Sequence, residues 1–101
     1  MRATASLDPF LGVPYDKADC VTITMAYLDT IGVTARDPRL FPEDWEKCDR
    51  TDAVVLTYRA RTHVAPVVGA HIIETRKGNT SYLMRIDRLR NMGVEFWRPR
   101  A

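Results

Sequence analysis

The sequence predicts an α+β domain in which one long helix packs on an antiparallel β-sheet. Two observations support this prediction: an apolar stripe with helical spacing lies within residues 16–30, and apolar residues alternate with period two in much of residues 53–97. One helix followed by a succession of strands is typical of the α+β class. A chain of 101 residues corresponds to one domain, so we expect a single domain over residues 1–101.

The helix is expected to begin at Asp16 or Asp19 and to end near residue 30. Its apolar stripe consists of residues at steps of three, four and three, namely Ala18, Val21, Met25 and Leu28. Either aspartate can cap the first turn, and Gly32 follows the last one. The β-branched residues 21–24 would favour a strand on propensity alone. The length of the periodic pattern favours the helix.

The segments on either side of this helix are predicted to be mostly irregular. Residues 1–10 form an extended lead with a helical turn at its end, and Gly12 and Pro14 then mark a loop. Residues 33–50 form an irregular connection with one helical turn around Trp45, whose ring is expected to hold the segment to the core.

Five strands are predicted in the second half of the chain, with a helical turn before the last one. They cover residues 53–58, 64–68, 72–75, 81–84 and 94–97. Pro66 lies within the second of these strands. Because proline cannot donate a ladder hydrogen bond, Pro66 predicts an edge position or a bulge.

Charge and hydropathy limit the classes of partner. The net charge is +2, but residues 1–50 carry six Lys/Arg against nine Asp/Glu, and residues 51–101 carry nine against four. This asymmetry indicates either an acidic partner or ordinary solvated faces and pairing between subunits. No basic run is continuous and no nucleic-acid-binding motif is present, so nucleic acid is not an expected partner. No apolar run approaches the roughly 20 residues that span a bilayer, so no membrane insertion is expected.

The N-terminal residues lack the apolar segment of a signal peptide, so we expect synthesis in the cytoplasm. Without a sign of secretion, Cys20 and Cys48 are expected to be free thiols. A zinc site built from both cysteines with His63 and His71 is conceivable, but the closely paired ligands typical of such sites are lacking. No metal or other cofactor is therefore expected.

Cys20 is the candidate nucleophile. A cysteine at the start of a helix lies beside unpaired backbone N–H groups, which stabilise the thiolate. The thiolate chemistry also needs a base within hydrogen-bond reach and a group that orients this base. His63, at the start of the second predicted strand, is better placed than His71 in the turn that follows. Both could equally be surface loop histidines.

Several short motifs follow one another along residues 11–99. They are Gly12-x-Pro14-Tyr15, Asp19-Cys20, Asp52-Ala53-Val54-Val55, His63-Val64-Ala65-x-Val67-Val68-Gly69, Ile72-Ile73-Glu74 and Phe96-Trp97-Arg98-Pro99. Their order and spacing resemble the NlpC-type cell-wall cysteine peptidases, most of all the compact versions associated with phage tails. The resemblance implies a papain-like fold, in which a helix with the cysteine at its start packs on an antiparallel sheet that carries the histidine. It also implies cleavage of the stem peptides of bacterial peptidoglycan.

The resemblance further implies roles for single residues. Cys20 corresponds to the nucleophile and His63 to the general base. The third polar position falls on Glu74, where the family usually has a histidine. A carboxylate there can hold the imidazole tautomer and stabilise the imidazolium. His71 is the alternative if the turn is threaded differently.

Around these residues the sequence departs from the family pattern. Tyr15 corresponds to a tyrosine near the nucleophile, and Asp19 to the acid of the Asp-Cys pair, and both are expected on the substrate side. However, residues 21–22 are Val-Thr instead of a small pair, and residues 65–66 are Ala-Pro instead of Gly-Ile. The Gly-Gly segment usual before the cysteine is also missing. Because glycines let a substrate backbone approach closely, these changes predict a narrowed or remodelled cleft.

The expected function is that of a cysteine peptidase that cleaves peptidoglycan stem peptides as part of a phage tail tip, with other tail proteins as partners and the virion tail as its final location. A second hypothesis is a structural or adaptor subunit that keeps the fold without the chemistry, which the departures and the uneven charge favour. A third is an amidase or acyltransferase on the same fold, since a fold does not specify its substrate.

Overall fold

A computed structural model describes residues 6–100 of the chain, and the lead predicted for residues 1–5 lies outside them. Within this range there are one α-helix and six β-strands: α1 (Cys20–Thr30), β1 (Trp45–Lys47), β2 (Val55–Tyr58), β3 (His63–Val68), β4 (His71–Glu74), β5 (Tyr82–Arg85) and β6 (Glu95–Pro99). Short 3-10 helices lie at Asp8–Phe10, Pro42–Asp44, Arg50–Asp52 and Ile86–Leu89. None of the helices in the described range is both long and apolar enough to cross a bilayer.

The strands form one antiparallel sheet in the order β1-β6-β2-β3-β4-β5. Strands β2 to β5 are consecutive neighbours, whereas the last strand returns to lie between β1 and β2. The helix α1 packs against β3 in the middle of this sheet. One helix on a six-stranded antiparallel sheet confirms the predicted α+β class.

The helix begins one residue after Asp19, which is its N-cap. The Asp19 carboxylate accepts hydrogen bonds from the backbone N–H of Thr22 at 2.9 Å and from its hydroxyl at 2.8 Å. This cap decides between the two predicted starts, and the alternative strand at residues 21–24 is wrong. The buried face is also rotated from the predicted stripe: it consists of Cys20, Ile23, Thr24, Tyr27 and Leu28.

Two apolar clusters fill the two faces of the sheet. The cluster under α1 contains Val55, Val64 and Ile73, whereas the second cluster contains their chain neighbours Leu56, Ala65 and Ile72. This division follows from the period of two, because successive strand residues point to opposite faces. The 3-10 helix Ile86–Leu89 covers the second cluster with its two buried apolar residues.

Two predictions about strands are wrong. Residues 33–50 are not all irregular, because β1 pairs with β6 and buries Trp45, whose indole N–H donates to the Arg36 carbonyl at 2.6 Å. Pro66 lies in an interior strand instead of an edge strand. The backbone N–H of the next residue, Val67, donates to the carbonyl of Val54, which directly precedes β2. The proline nitrogen therefore faces β4, where the pairing covers only the last two residues of β3.

Two buried threonines give a matched test of the core. Thr75 is fully buried, and its hydroxyl has no hydrogen-bond partner in the described part of the chain. Thr75→Val should raise the free energy of unfolding by about 1 kcal/mol, because an unsatisfied buried hydroxyl is removed at nearly constant volume. Urea denaturation measures this change.

The control is Thr57, which is equally buried but accepts a hydrogen bond from the Trp97 indole N–H at 2.9 Å. Thr57→Val should lower the free energy of unfolding by about 1–3 kcal/mol, because the indole N–H is then buried without a partner. A loss of stability in both variants would contradict the assignment of Thr75.

Candidate active site

The sulfur of Cys20 lies at the first position of α1. Asp19 satisfies the N–H of Thr22, and the N–H of Ile23 begins the helical ladder by donating to the Asp19 carbonyl at 3.0 Å. The Cys20 side chain therefore sits at the positive end of the helix dipole, and its residue is 9% exposed. Thr22 stands where the family that the sequence resembles has a small residue. In this structure its N–H and hydroxyl are the donors to the Asp19 cap.

His63 is the first residue of β3, and the loop before it is left-handed. Arg59, Ala60 and Arg61 have φ values of 54°, 55° and 65°, which non-glycine residues rarely adopt. Thr62 closes this loop by donating both its N–H and its hydroxyl to the Arg59 carbonyl, at 3.1 and 2.8 Å. His63 therefore follows directly after a tight left-handed turn at the end of the sheet.

Glu74 is the last residue of β4, and its side chain is completely buried. Its Oε1 lies 2.6 Å from His63 Nε2 and accepts the Thr75 N–H at 3.1 Å. Its Oε2 accepts the Tyr58 hydroxyl at 2.6 Å and Arg76 Nε at 3.3 Å. Both carboxylate oxygens therefore have two donors, which is the condition for burying a charge.

This contact decides which group orients His63. Glu74 is the hydrogen-bond partner of His63 Nε2, which leaves Nδ1 to face the thiol. The Tyr58 ring packs on the imidazole, with the two ring centroids 4.7 Å apart. His71 lies at the other end of β4, where it pairs with Val68 and Arg85. The structure thus brings together Cys20, His63 and Glu74, and leaves His71 outside.

The protonation of the pair follows from these neighbours. Burial by itself raises the pKa of Cys20, but the hydrogen bond and charge of His63 outweigh it, so the thiol pKa is lowered. Burial likewise lowers the pKa of His63, but Cys20 and Glu74 outweigh it and raise this pKa to about 9. Burial by itself raises the pKa of Glu74, but the hydrogen bonds from His63 and Tyr58 outweigh it, so this pKa is lowered. These shifts favour a Cys20 thiolate beside a His63 imidazolium over the neutral pair.

Arg39 joins two walls of the site. Its guanidinium contacts the buried Asp37 carboxylate at 3.2–3.4 Å and donates from Nη1 to the Thr62 carbonyl at 3.2 Å. It therefore ties the segment after α1 to the residue that precedes His63. Its positive charge also contributes to the lowered pKa of Cys20.

A cleft of about 320 Å³ opens beside Cys20 and His63, and both Tyr15 and Asp19 line it as predicted. Tyr15 is placed by a loop that is bonded to the β4–β5 connection, with its N–H donating to the Asn79 carbonyl at 3.1 Å. Tyr15 and Lys77 also line a second recess of about 730 Å³. The site thus has room on both sides of Tyr15.

Ala65 and Pro66 do not contribute to any narrowing of the cleft. Neither residue lines the cleft, and Ala65 packs in the cluster that contains no α1 residue. No group of three or more His, Cys, Asp or Glu side chains in residues 6–100 could hold a metal ion. Cys48 lies beyond β1, and burial together with acidic neighbours raises its pKa.

Sequence reasoning missed three residues of the site, namely Tyr58, Arg39 and Arg76. Tyr58 ends the β2 strand and Arg76 follows Glu74 by two residues, so both could have been found only by pairing the strands correctly. Comparisons with protein-family models, curated proteins and solved structures each found no match.

The two cysteines give an internal comparison of thiol reactivity. At pH 7, iodoacetamide should alkylate Cys20 about tenfold faster than Cys48, because only the Cys20 thiol has a lowered pKa. Mass spectrometry of peptides after timed quenching measures both rates in one sample. His63→Ala should slow Cys20 to the rate of Cys48 and leave Cys48 unchanged. Equal rates in the wild type would contradict a thiolate at Cys20.

The charge of Glu74 can be tested through the titration of His63. Glu74→Gln should lower the pKa of His63 from about 9 towards 6.5, because a neutral amide cannot stabilise the imidazolium. The imidazole NMR resonances measure this shift. Glu46→Gln, at a half-exposed residue of β1, is the matched control and should leave it in place. An unchanged His63 pKa in Glu74→Gln would show that the carboxylate does not set it.

Proposed function

We propose that this protein is a cysteine peptidase with a papain-like arrangement, acting on the stem peptides of bacterial peptidoglycan. One observation carries the proposal: Cys20 at the start of α1 and His63 at the start of β3 line one cleft, and the buried Glu74 at the end of β4 lies 2.6 Å from His63 Nε2. A nucleophile, a base and a group that orients the base are the requirements of acyl transfer by a thiol.

The reaction follows from the charges of the resting site. The Cys20 thiolate attacks the amide carbonyl carbon, and the resulting C–S bond forms as the carbonyl π electrons move onto oxygen. When the tetrahedral intermediate collapses, the C–N bond breaks and the His63 imidazolium gives its proton to the leaving amine. Neutral His63 then takes a proton from water as the oxygen of that water attacks the thioester; the C–S bond breaks, and the carboxylic acid leaves with the Cys20 thiolate and the His63 imidazolium restored.

The developing oxyanion needs donors close to the sulfur. The first backbone N–H groups of a helix have no acceptor within the helix, and Cys20 occupies the first position of α1. The N–H of Cys20 is therefore the donor that the geometry offers to the oxyanion. Glu74 remains ionised throughout and stabilises the imidazolium by its two hydrogen-bonded oxygens.

The substrate class and the setting rest on the sequence resemblance to NlpC-type peptidases of phage tails. In support, the residues that match the family's nucleophile and base are those that meet at the cleft, and the residue at its third position, Glu74, bonds the base. The alternative function is that of a tail-tip adaptor without chemistry. The lack of glycine at residues 65–66 supports this alternative less strongly than the sequence indicated, because Ala65 and Pro66 do not line the cleft.

Purified peptidoglycan tests the proposal. The wild type should release soluble fragments with new amino groups, and Cys20→Ala should reduce the rate roughly a thousandfold or more, because it removes the nucleophile. Cys48→Ala is the matched control and should retain wild-type activity. Mass spectrometry of the fragments identifies the bond that is cleaved.

Equal release by the wild type and Cys20→Ala would exclude the thiol mechanism. No release by either protein, combined with equal alkylation rates of the two cysteines, would favour the adaptor function.

A further inference from the structure

The wall of the cleft is unusually rich in positive charge. Besides the imidazole of His63, four cationic side chains line it, namely Arg39, Arg59, Arg76 and Lys77, against one carboxylate, that of Asp19. Asp19 is already engaged by the N–H and the hydroxyl of Thr22 at the start of α1. Because these donors are neutral, the Asp19 carboxylate keeps its charge and offsets part of the positive charge of the wall.

Two of the four cations are neutralised within the protein. Arg39 pairs with the buried Asp37 at 3.2 Å, and Arg76 pairs with Glu74 at 3.3 Å. Arg59 and Lys77 are different, because neither forms an ion pair with any residue in the described range 6–100, and both are exposed. The cleft therefore has two cations available to a ligand.

Both free cations are placed by well-anchored backbone. The N–H of Arg59 donates to the Met92 carbonyl at 3.1 Å, and its own carbonyl accepts both bonds from Thr62. Lys77 lies in the turn after Glu74, which the bond from Asn79 N–H to the Arg76 carbonyl closes at 3.0 Å. Lys77 also lines the second recess together with Tyr15. Hydrogen bonds therefore hold the backbone of Arg59 and of the turn that contains Lys77 at the rim of the cleft.

We propose that Arg59 and Lys77 form an anion-binding rim that selects peptides carrying carboxylate groups next to the amide attacked by Cys20. The proposal rests on the peptidase function for its identification of the ligand as a peptide. A guanidinium and an ammonium are the side chains that bind carboxylates, and an open, partly desolvated cleft strengthens this attraction. The neighbouring charges of His63, Glu74, Arg39 and Asp37 belong to internal pairs, so Arg59 and Lys77 leave the rim with a net positive charge against the single carboxylate of Asp19.

The anion preference can be measured without any hydrolysis. Iodoacetate and iodoacetamide alkylate a thiolate by the same reaction, in which the S–C bond forms as iodide leaves, but only iodoacetate carries a carboxylate. The ratio of their rate constants at one cysteine therefore cancels the thiolate population and reports the local attraction for the anion. Cys48 is the internal reference, because three carboxylates, those of Glu46, Asp49 and Asp52, lie near it against one cation, Arg98.

At low ionic strength, the ratio of iodoacetate to iodoacetamide rates should be higher at Cys20 than at Cys48. Arg59→Gln and Lys77→Gln should each lower the ratio at Cys20 roughly threefold, which is the effect of one charge at about 7 Å in water. Added salt should reduce the wild-type ratio towards that of the double variant. Arg88→Gln, at an exposed arginine of the 3-10 helix Ile86–Leu89, is the control and should leave the ratio unchanged.

A second arm uses two peptides that differ only in one carboxylate against its amide. Wild-type kcat/KM should favour the carboxylate, and Arg59→Gln with Lys77→Gln should bring the kcat/KM values of the two peptides to equality. Unchanged alkylation ratios in both variants would overturn the proposal even if peptides are cleaved. Altered ratios without cleavage of any peptide would uphold the anion-binding rim and count against the peptidase function.

Discussion

The buried carboxylate of Glu74 is the interaction on which the rest of the structure depends. A charge with no exposure must be compensated locally, and removing one partner of such a group costs about 3–5 kcal/mol. The compensating donors come from the end of β2, the start of β3 and the residues after β4, through Tyr58, His63, Thr75 and Arg76. The same carboxylate therefore holds three strand ends together and sets the protonation of the imidazole, so that stability and chemistry share one group.

The second constraint is the start of α1, where the local sequence and the tertiary structure support each other. Asp19 and Thr22 cap the helix, and Cys20 is thereby placed where a thiolate is favoured. The loop before the cap is bonded to the β4–β5 connection through Gly12, Tyr15 and Ser81. Hydrogen bonds therefore join the loop that precedes the nucleophile to the β4–β5 connection, although these two segments lie far apart in the sequence.

The left-handed turn at residues 59–61 shows where the fold carries strain. Each non-glycine residue in this region costs roughly 1–2 kcal/mol, and three occur in succession. The turn is compensated from three sides: by the two bonds from Thr62, by the Arg39 bond to the Thr62 carbonyl, and by the pair of Arg61 with Glu95 at 2.8 Å. The turn leads directly into His63 at the start of β3, and it places Arg59 in the wall of the cleft.

The sequence by itself determined the α+β class, the helix ending near Thr30 and the identity of Cys20, His63 and Glu74 as candidates, because caps, periodicity and motif order are local properties of the chain. Tertiary structure alone decided the β1–β6 pairing, the interior position of Pro66 and the choice of Glu74 over His71. It also brought Tyr58, Arg39 and Arg76 to the site. These features depend on which strands become neighbours, and pairing between residues about 50 positions apart is decided by burial of the whole sheet, which no local pattern contains.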